Sequence, residues 1–330
     1  MTEKKAWLSA EEQIAQLKER GVKFEVFSES DALNYLKKNS NYFRIRSYRT
    51  GFAKVDTGRR RGQYANLDFA MLVDLSIIDM LLRYEMLPLT LDVEHFSKVE
   101  LLQAIEVHGE DGYSIVSDFL SGYDQLAADG SVYNRVKRDI DAGKTSPYAS
   151  GILHKYPDYD FPAWAFVEVI SFGAFCHFYK FCAARFNDAG MKDRFYLLQS
   201  VRGLRNACAH NNCIINDMKA GEPRHQLNYE VSKALGAING IGRDQRKSKA
   251  SNDRFQQIVT TLYLHSRIAS EGVARHRAAS LGEFVQRMNR NLDYYNGNTE
   301  VLSGFGFLTK VIEAWFPMSS KDSDLTVMRG

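Results

Sequence analysis

The stretch that decides the fold class is LDFAMLVDLSIIDMLLRYEML, residues 67–87. Apolar residues recur in it every three or four positions, which is the spacing of one face of an α-helix. Asp79 and Arg83 lie four residues apart, so we expect them to form an ion pair on this helix. Pro88 follows directly, and a proline is expected to end the helix.

The same spacing recurs along most of the chain and predicts an all-α protein. Ser9 to Glu12 and Ser280 to Glu283 have the capping-box pattern, so each is expected to begin a helix. Tyr42 to Tyr48 alternates in polarity and is compatible with a short strand or an irregular helix. Further helices are expected near residues 92–107, 113–127, 131–142, 161–187, 193–210, 228–239, 252–278, 281–292 and 304–315.

Two polar stretches interrupt this pattern. Residues 143–160 are rich in Gly, Pro and Ser and predict a loop. Residues 241–250 are basic and polar, and they are the best candidate for a domain boundary. We therefore expect one helical domain over residues 1–240 and a helical extension over residues 251–330, with a frayed tail from Ser319.

The composition of the 330-residue chain excludes several classes of protein. Forty-three Lys and Arg against 40 Asp and Glu leave a net charge of +3, too small for a protein that coats nucleic acid by bulk charge. Four cysteines without a C-x-x-C pair favour a reducing, cytoplasmic setting. The first nine residues lack the apolar stretch of a signal peptide.

Residues 161–179 are almost wholly apolar, but Glu168 lies in the middle of the stretch. A carboxylate at the centre of a membrane span is costly, so a buried core helix is the better interpretation. A buried Glu168 would need a partner, for which Arg205 is one candidate. We expect no association with a membrane.

The candidate site lies in LLQSVRGLRNACAHNNCIIN, residues 197–216. On a helix, Arg202, Asn206 and His210 share the face opposite the apolar stripe, and Arg205 lies at the border. A histidine beside cationic and amide donors is a plausible place for a phosphate. The alternative remains that His210 only caps the helix C-terminus, where a cationic imidazole is favoured.

Two clusters could be taken for metal sites. Cys208 and His210 would point about 200° apart on a helix, which does not suit a shared tetrahedral ion. The cluster from Asp92 to Lys98 has no second ligand four residues from His95, so a structural role or an RNA contact is the better interpretation. We expect neither a metal nor another cofactor.

Basic residues interleaved with aromatic or polar ones could form a surface that tracks RNA, although solvated faces are the usual role of such runs. The strongest of these runs include Arg44, Arg46, Arg59, Arg60 and Arg61.

Three separated motifs in the same order resemble the Abi-like family of bacterial phage-abortive-infection proteins, the AbiD/AbiF type. They are residues 66–102, the pattern W-x3-E-x2-SFG that begins at Trp164, and LRNACAH, which ends at His210. The likeness extends over about residues 9–240. Where the family usually continues with a His or an Arg, this chain has Asn211 and Asn212.

The resemblance implies a HEPN-like helical bundle, a fold whose signature is Arg-polar-x3-His and which often cleaves RNA. Arg205 and His210 would be the catalytic pair, and Asn206 the polar residue of the signature. Trp164, Glu168 and Arg202 are expected to support them. The family's chemistry needs no metal, because the RNA 2′-hydroxyl is the nucleophile.

One motif supplies a single histidine, whereas strand cleavage needs an acid and a base, so the resemblance implies a homodimer with a composite site. The expected protein is a phage-defence or toxin-like endoribonuclease, with an inhibitory RNA or protein as a further partner. A catalytically silent RNA-binding module and a partner-binding module of the same fold remain as alternatives.

Overall fold

Helices make up most of the computed structural model, which describes residues 7–126 and 132–317. The prediction of an all-α protein is confirmed. The α-helices are α1 (Ala10–Glu19), α2 (Glu29–Lys38), α3 (Tyr42–Ser47), α4 (Phe69–Val107), α5 (Gly112–Ser121), α6 (Arg135–Asp141), α7 (Ser150–Lys155), α8 (Ala163–Val169), α9 (Phe172–Arg185), α10 (Ala189–Ala209), α11 (Tyr229–Gly236), α12 (Arg243–Ala250), α13 (Asp253–Ile268), α14 (Glu271–Met288) and α15 (Thr299–Trp315).

Two-residue strands form two small pairings. Strand β1 (Val22–Lys23) runs parallel to β2 (Leu67–Asp68), with Val22 opposite Leu67. Strand β3 (Gln125–Leu126) pairs antiparallel with β4 (Val132–Tyr133). Neither pairing forms a layer of its own, so helix packing carries the fold.

One of the two predicted capping boxes is present. The Ser9 Oγ accepts a hydrogen bond from the Glu12 backbone N–H, and the Glu12 carboxylate accepts one from the Ser9 N–H, at 3.2 and 2.7 Å. The second prediction was wrong, because Ser280 lies inside α14, which begins at Glu271. The tract from Tyr42 to Tyr48 contains a short helix, α3, instead of a strand.

Helix α4 does not end at Pro88, which corrects the prediction from its sequence. It continues as one helix to Val107, although an interior proline costs about 3 kcal/mol. The side chains of Met86 and Leu89 beside the proline are fully buried. Burying two such side chains recovers a free energy of this size, so the helix continues across the proline.

The predicted core helix over residues 161–187 is two helices, α8 and α9. Ile170 is extended between them, and the Ser171 Oγ accepts a hydrogen bond from the Ala174 N–H as the N-cap of α9. The rings of Phe166, Phe175 and Phe178 are fully buried, as a core segment requires. Among the residues that the structure describes, no helix combines the length and apolar character that a bilayer span needs.

The chain divides into two compact units. The first unit takes in the described residues of Met1–Leu89, Leu204–Ser266 and Ser270–Gly330, and the second takes in those of Thr90–Gly203 and Arg267–Ala269. In the first unit α1 packs on α2 and α14 packs on α15; in the second α8 packs on α5 and α7. The predicted division into a helical domain over residues 1–240 and a helical extension over residues 251–330 stays a prediction.

Three further boundary predictions have an outcome. Residues 243–250 of the predicted polar stretch form α12, and the predicted loop over residues 143–160 contains α7. The single helix predicted over residues 252–278 is interrupted at residues 269–270, between α13 and α14. The predicted frayed tail, from Ser319, lies outside the described residues.

Candidate functional site

The candidate motif lies at the C-terminal end of α10, where the chain turns sharply. The Asn212 N–H donates to the Ala207 carbonyl at 2.8 Å, and the Asn211 N–H donates to the Cys208 carbonyl at 3.0 Å. These two bonds define a Schellman motif with His210 at the C-cap. Asn211 has a φ of 56°, a left-handed conformation that asparagine tolerates better than most residues. The backbone of His210 is therefore fixed at the tip of the helix.

The side chains of the motif differ in exposure. Leu204 and Cys208 are buried, whereas Asn206 and His210 are exposed, and Arg205 is half-buried. Residues four apart on a helix lie about 40° apart around the axis, so Asn206 and His210 face the same way. Arg205 and His210 are five apart, which separates them by about 140°. A single copy of α10 thus presents the two residues in different directions.

Residues 211–215 leave this helix tip, and we call them the exit segment. The ion pair predicted between Asp79 and Arg83 on α4 is present, and both side chains are buried. The Asp79 Oδ1 accepts hydrogen bonds from the backbone N–H groups of Ile214 and Ile215, at 2.7 and 2.9 Å. The Arg83 Nη1 donates to the Asn212 carbonyl at 3.3 Å. The ion pair therefore holds three of the five residues of the exit segment.

Helix α3 and its C-terminal end hold the other two residues. The Arg44 guanidinium donates to the Asn211 carbonyl and to its Oδ1, the latter at 3.3 Å. The Tyr48 hydroxyl donates to the Cys213 Sγ at 3.3 Å. Burial, followed by this contact with Cys213, raises the pKa of Tyr48 well above its usual range. Every residue of the exit segment is thus bonded to a side chain of α3, α4 or Tyr48.

The Asp79–Arg83 pair is costly to disturb because it is desolvated. Burial lowers the pKa of the Arg83 guanidinium, and the nearby charge of Arg44 adds to this effect. Removing one partner of a buried pair leaves an uncompensated charge, at a cost of about 3–5 kcal/mol. Loss of Asp79 would also leave two buried N–H groups of the exit segment without their acceptor. Sequence spacing predicted the pair but gave no sign of its link to His210.

Cys208, on the apolar face of the motif, is a free and buried cysteine. Burial raises the pKa of the Cys208 thiol to about 12, which keeps it protonated at neutral pH. In the described part of the chain, no three His, Cys, Asp or Glu side chains are placed to hold a metal ion together.

The predicted RNA-binding arginines differ in their relation to this site. Arg44 contacts the exit segment directly, and Arg46 is half-buried on the same helix. Arg59, Arg60 and Arg61 lie in an exposed turn, where Arg60 bonds to Gln63 at 3.2 Å and to the Tyr64 carbonyl.

The predicted supporting residues lie in the second unit. Glu168 is not buried as expected: its side chain is 59% exposed, and its carboxylate lies 4.0 Å from the Lys98 ammonium. Trp164, one turn earlier on α8, is also exposed and packs edge-on against Tyr113. The short helix α8 therefore has an exposed stripe, which the apolar sequence around Glu168 concealed. The Arg202 guanidinium lies against Gly173.

The fold and this geometry define an all-helical protein that presents an exposed histidine on a rigidly held helix tip. A family model described as Abi-like protein matches residues 34–216, more than half of the chain. The chain therefore belongs to the Abi-like family, which suggests a role in phage abortive infection. The match includes α3, the Asp79–Arg83 pair and the whole exit segment. Searches of curated proteins and of solved structures found no match.

Proposed function

We propose that this protein is a metal-independent endoribonuclease of the HEPN type that acts in phage abortive infection as a toxin-like effector. The observation that carries the proposal is the fixed, exposed position of His210 at the tip of α10, in a chain of the Abi-like family. A proton-transfer group must be well placed toward the substrate, and the bonded exit segment fixes the backbone next to His210.

The residues of the motif have separate roles in this mechanism. The RNA supplies its own nucleophile, the 2′-hydroxyl, so cleavage needs one base for its proton and one acid for the leaving 5′-oxygen. His210 does this proton work, and Arg205 stabilises the negative charge that develops on the phosphorane. Asn206 faces the same way as His210, so its amide can contact the same RNA strand.

The active form in this proposal is a homodimer. One chain offers one His210, and its Arg205 points about 140° away around the helix. Two copies related by a two-fold axis bring two histidines to one phosphate, one as base and one as acid. An inhibitory RNA or protein that separates or covers the two helix tips would keep the enzyme silent in an uninfected cell.

The test uses purified full-length protein, a mixed RNA pool and excess EDTA. We expect the wild type to cleave the RNA and to leave 2′,3′-cyclic phosphate ends, because the 2′-oxygen attacks the phosphorus. Arg205→Ala and His210→Ala should each lose the activity. His276→Ala and Arg290→Ala are matched controls at exposed positions outside the motif and should cleave like wild type. Equal behaviour of wild type and the His210 variant would refute the proposal.

A second candidate is an RNA-binding module that does not cleave. The exposed run from Arg59 to Arg61 favours it, because these charges can track a phosphate backbone without any role for His210. Neutralising the three arginines should then flatten the dependence of RNA binding on salt concentration, whereas His210→Ala should leave binding unchanged.

A further inference from the structure

A cavity of about 490 Å³ opens in the first unit, beside the exit segment. Its wall is formed by the end of α2, residues 39–41, α3, α4 and Asn211. Pockets of about 300–1,000 Å³ are typical of small-ligand sites. We propose that this cavity binds one nucleotide unit, a phosphate together with its base, as a subsite for the RNA strand. This inference rests on the proposed function only in taking RNA as the source of that nucleotide.

The charge of the wall selects an anion. Lys37, Lys38, Arg44 and Arg83 line the cavity, and none of the acidic residues that the structure describes does. Lys37 is bonded to Glu11 at 2.6 Å, and Arg83 is committed to its buried pair. Lys38 is exposed and makes no ion pair with any residue that the structure describes. Lys38 is therefore the cation best placed to bind a phosphate.

Arg44 can add to this phosphate contact. Its guanidinium has five N–H donors, and the two bonds to Asn211 use only part of them. The remaining N–H groups belong to a side chain that lines the cavity. A phosphate bound there would contact the same arginine that holds the first residue of the exit segment.

The other side of the cavity suits a base. Tyr84 lines it and is 61% exposed, so its ring is accessible for stacking. Ile77 and Met80 add apolar wall, and the side chains of Asn39 and Asn211 supply amide groups that can bond to the edge of a base. A tyrosine ring, amides and unpaired positive charge together match a nucleotide better than they match an inorganic anion.

The position of the cavity links it to the cleavage site. Asn211 forms part of its wall and directly follows His210 in the chain, so consecutive Cα atoms place the two about 3.8 Å apart. A strand that leaves the cavity past Asn211 would therefore reach the tip of α10, which carries His210. The cavity would align the nucleotide that neighbours the cleaved phosphate.

The test measures binding of a fluorescent hexaribonucleotide whose riboses all carry 2′-O-methyl groups, which removes the nucleophile and prevents cleavage. We expect Tyr84→Ala to weaken binding about tenfold and Tyr84→Phe to retain it, since stacking needs only the ring. Lys38→Ala should lower the slope of log Kd against log salt by about 0.7, the value for one contact with a single strand. The matched control is Tyr229→Ala, an exposed tyrosine outside the cavity wall.

Free nucleoside 5′-monophosphates form a second arm. If a monophosphate binds as tightly as the hexamer and Tyr84→Ala weakens both, the cavity is a nucleotide site whose source is a free nucleotide. If Tyr84→Ala and Tyr229→Ala bind the hexamer equally, the inference is wrong. Cleavage in EDTA by the wild type is scored separately, so loss of the proposed enzymatic function would not be mistaken for loss of this subsite.

Discussion

The exit segment is held in place by hydrogen bonds, whereas the aromatic core of the second unit is held by apolar packing. The exit segment is exposed at Asn211 and Asn212 and is fixed by hydrogen bonds to buried charges. In the second unit, Phe178 is fully buried and contacts the rings of Phe119 and Phe166, with centroids 5.0 and 5.1 Å away. Apolar packing fixes a volume, whereas directed hydrogen bonds fix individual atoms. The polar region is therefore the one that can set the position of a catalytic group.

The largest effect is expected when the buried pair is broken. Asp79→Ala leaves Arg83 as an uncompensated buried charge, so the free energy of unfolding should fall by about 4 kcal/mol in urea denaturation. Cleavage per folded molecule should also fall, because the exit segment loses the acceptor of two backbone bonds.

A double variant sharpens this test. Asp79→Leu with Arg83→Met removes both charges, and much of the lost stability should return. Activity should remain low, because the bonds to the exit segment are still missing. Full activity of the stable double variant would show that these bonds do not position His210.

A substitution in the aromatic core should lower the stability of the protein without changing its cleavage of RNA. Phe178→Ala creates a cavity and should lower the free energy of unfolding by about 3 kcal/mol. RNA cleavage per folded molecule should stay at the wild-type level when measured well below the unfolding transition. Phe178→Leu serves as the milder control and should lose less stability. A loss of cleavage in a folded Phe178 variant would erase the distinction between the two regions.

A much smaller effect is expected at Glu168. Its side chain is largely exposed and its ion pair with Lys98 is long, so Glu168→Gln should change the free energy of unfolding by less than about 0.5 kcal/mol. Thermal or urea unfolding measures this directly. A change of several kcal/mol would mean that Glu168 has the buried supporting role that its sequence context first indicated.

The smallest effect is expected from thiol modification. Burial raises the pKa values of Cys176, Cys182 and Cys208 to about 12, so these thiols lack the reactive thiolate at pH 8. Mass spectrometry after treatment with iodoacetamide should find them unmodified in the folded protein and modified in urea. Rapid alkylation of Cys208 in the native state would show that the tip of α10 opens.

The sequence predicted what depends on neighbours along the chain. The helical class, the first capping box and the Asp79–Arg83 pair all follow from spacings of three or four residues. It failed where burial overrode a local rule, as at Pro88. It also failed where one side chain began a new helix inside an apolar stretch, as at Ser171.

The support of the candidate site could not be read from the sequence. Asp79 and Ile214 are 135 residues apart, and no local pattern links a carboxylate on one helix with two backbone N–H groups that distant. Arg44 was predicted to contact RNA. In the structure it bonds to Asn211, which lies 167 residues further along the chain. Only the folded chain brings these groups to the exit segment.

The central claim is that one cleavage site takes a His210 from each of two chains. Differently tagged wild-type and His210→Ala chains, mixed in varying ratio at fixed total concentration and allowed to exchange, test it directly. If both histidines are needed, activity follows the square of the wild-type fraction, and an equal mixture retains about one quarter of full activity. A linear fall, with about one half retained, would contradict the composite site.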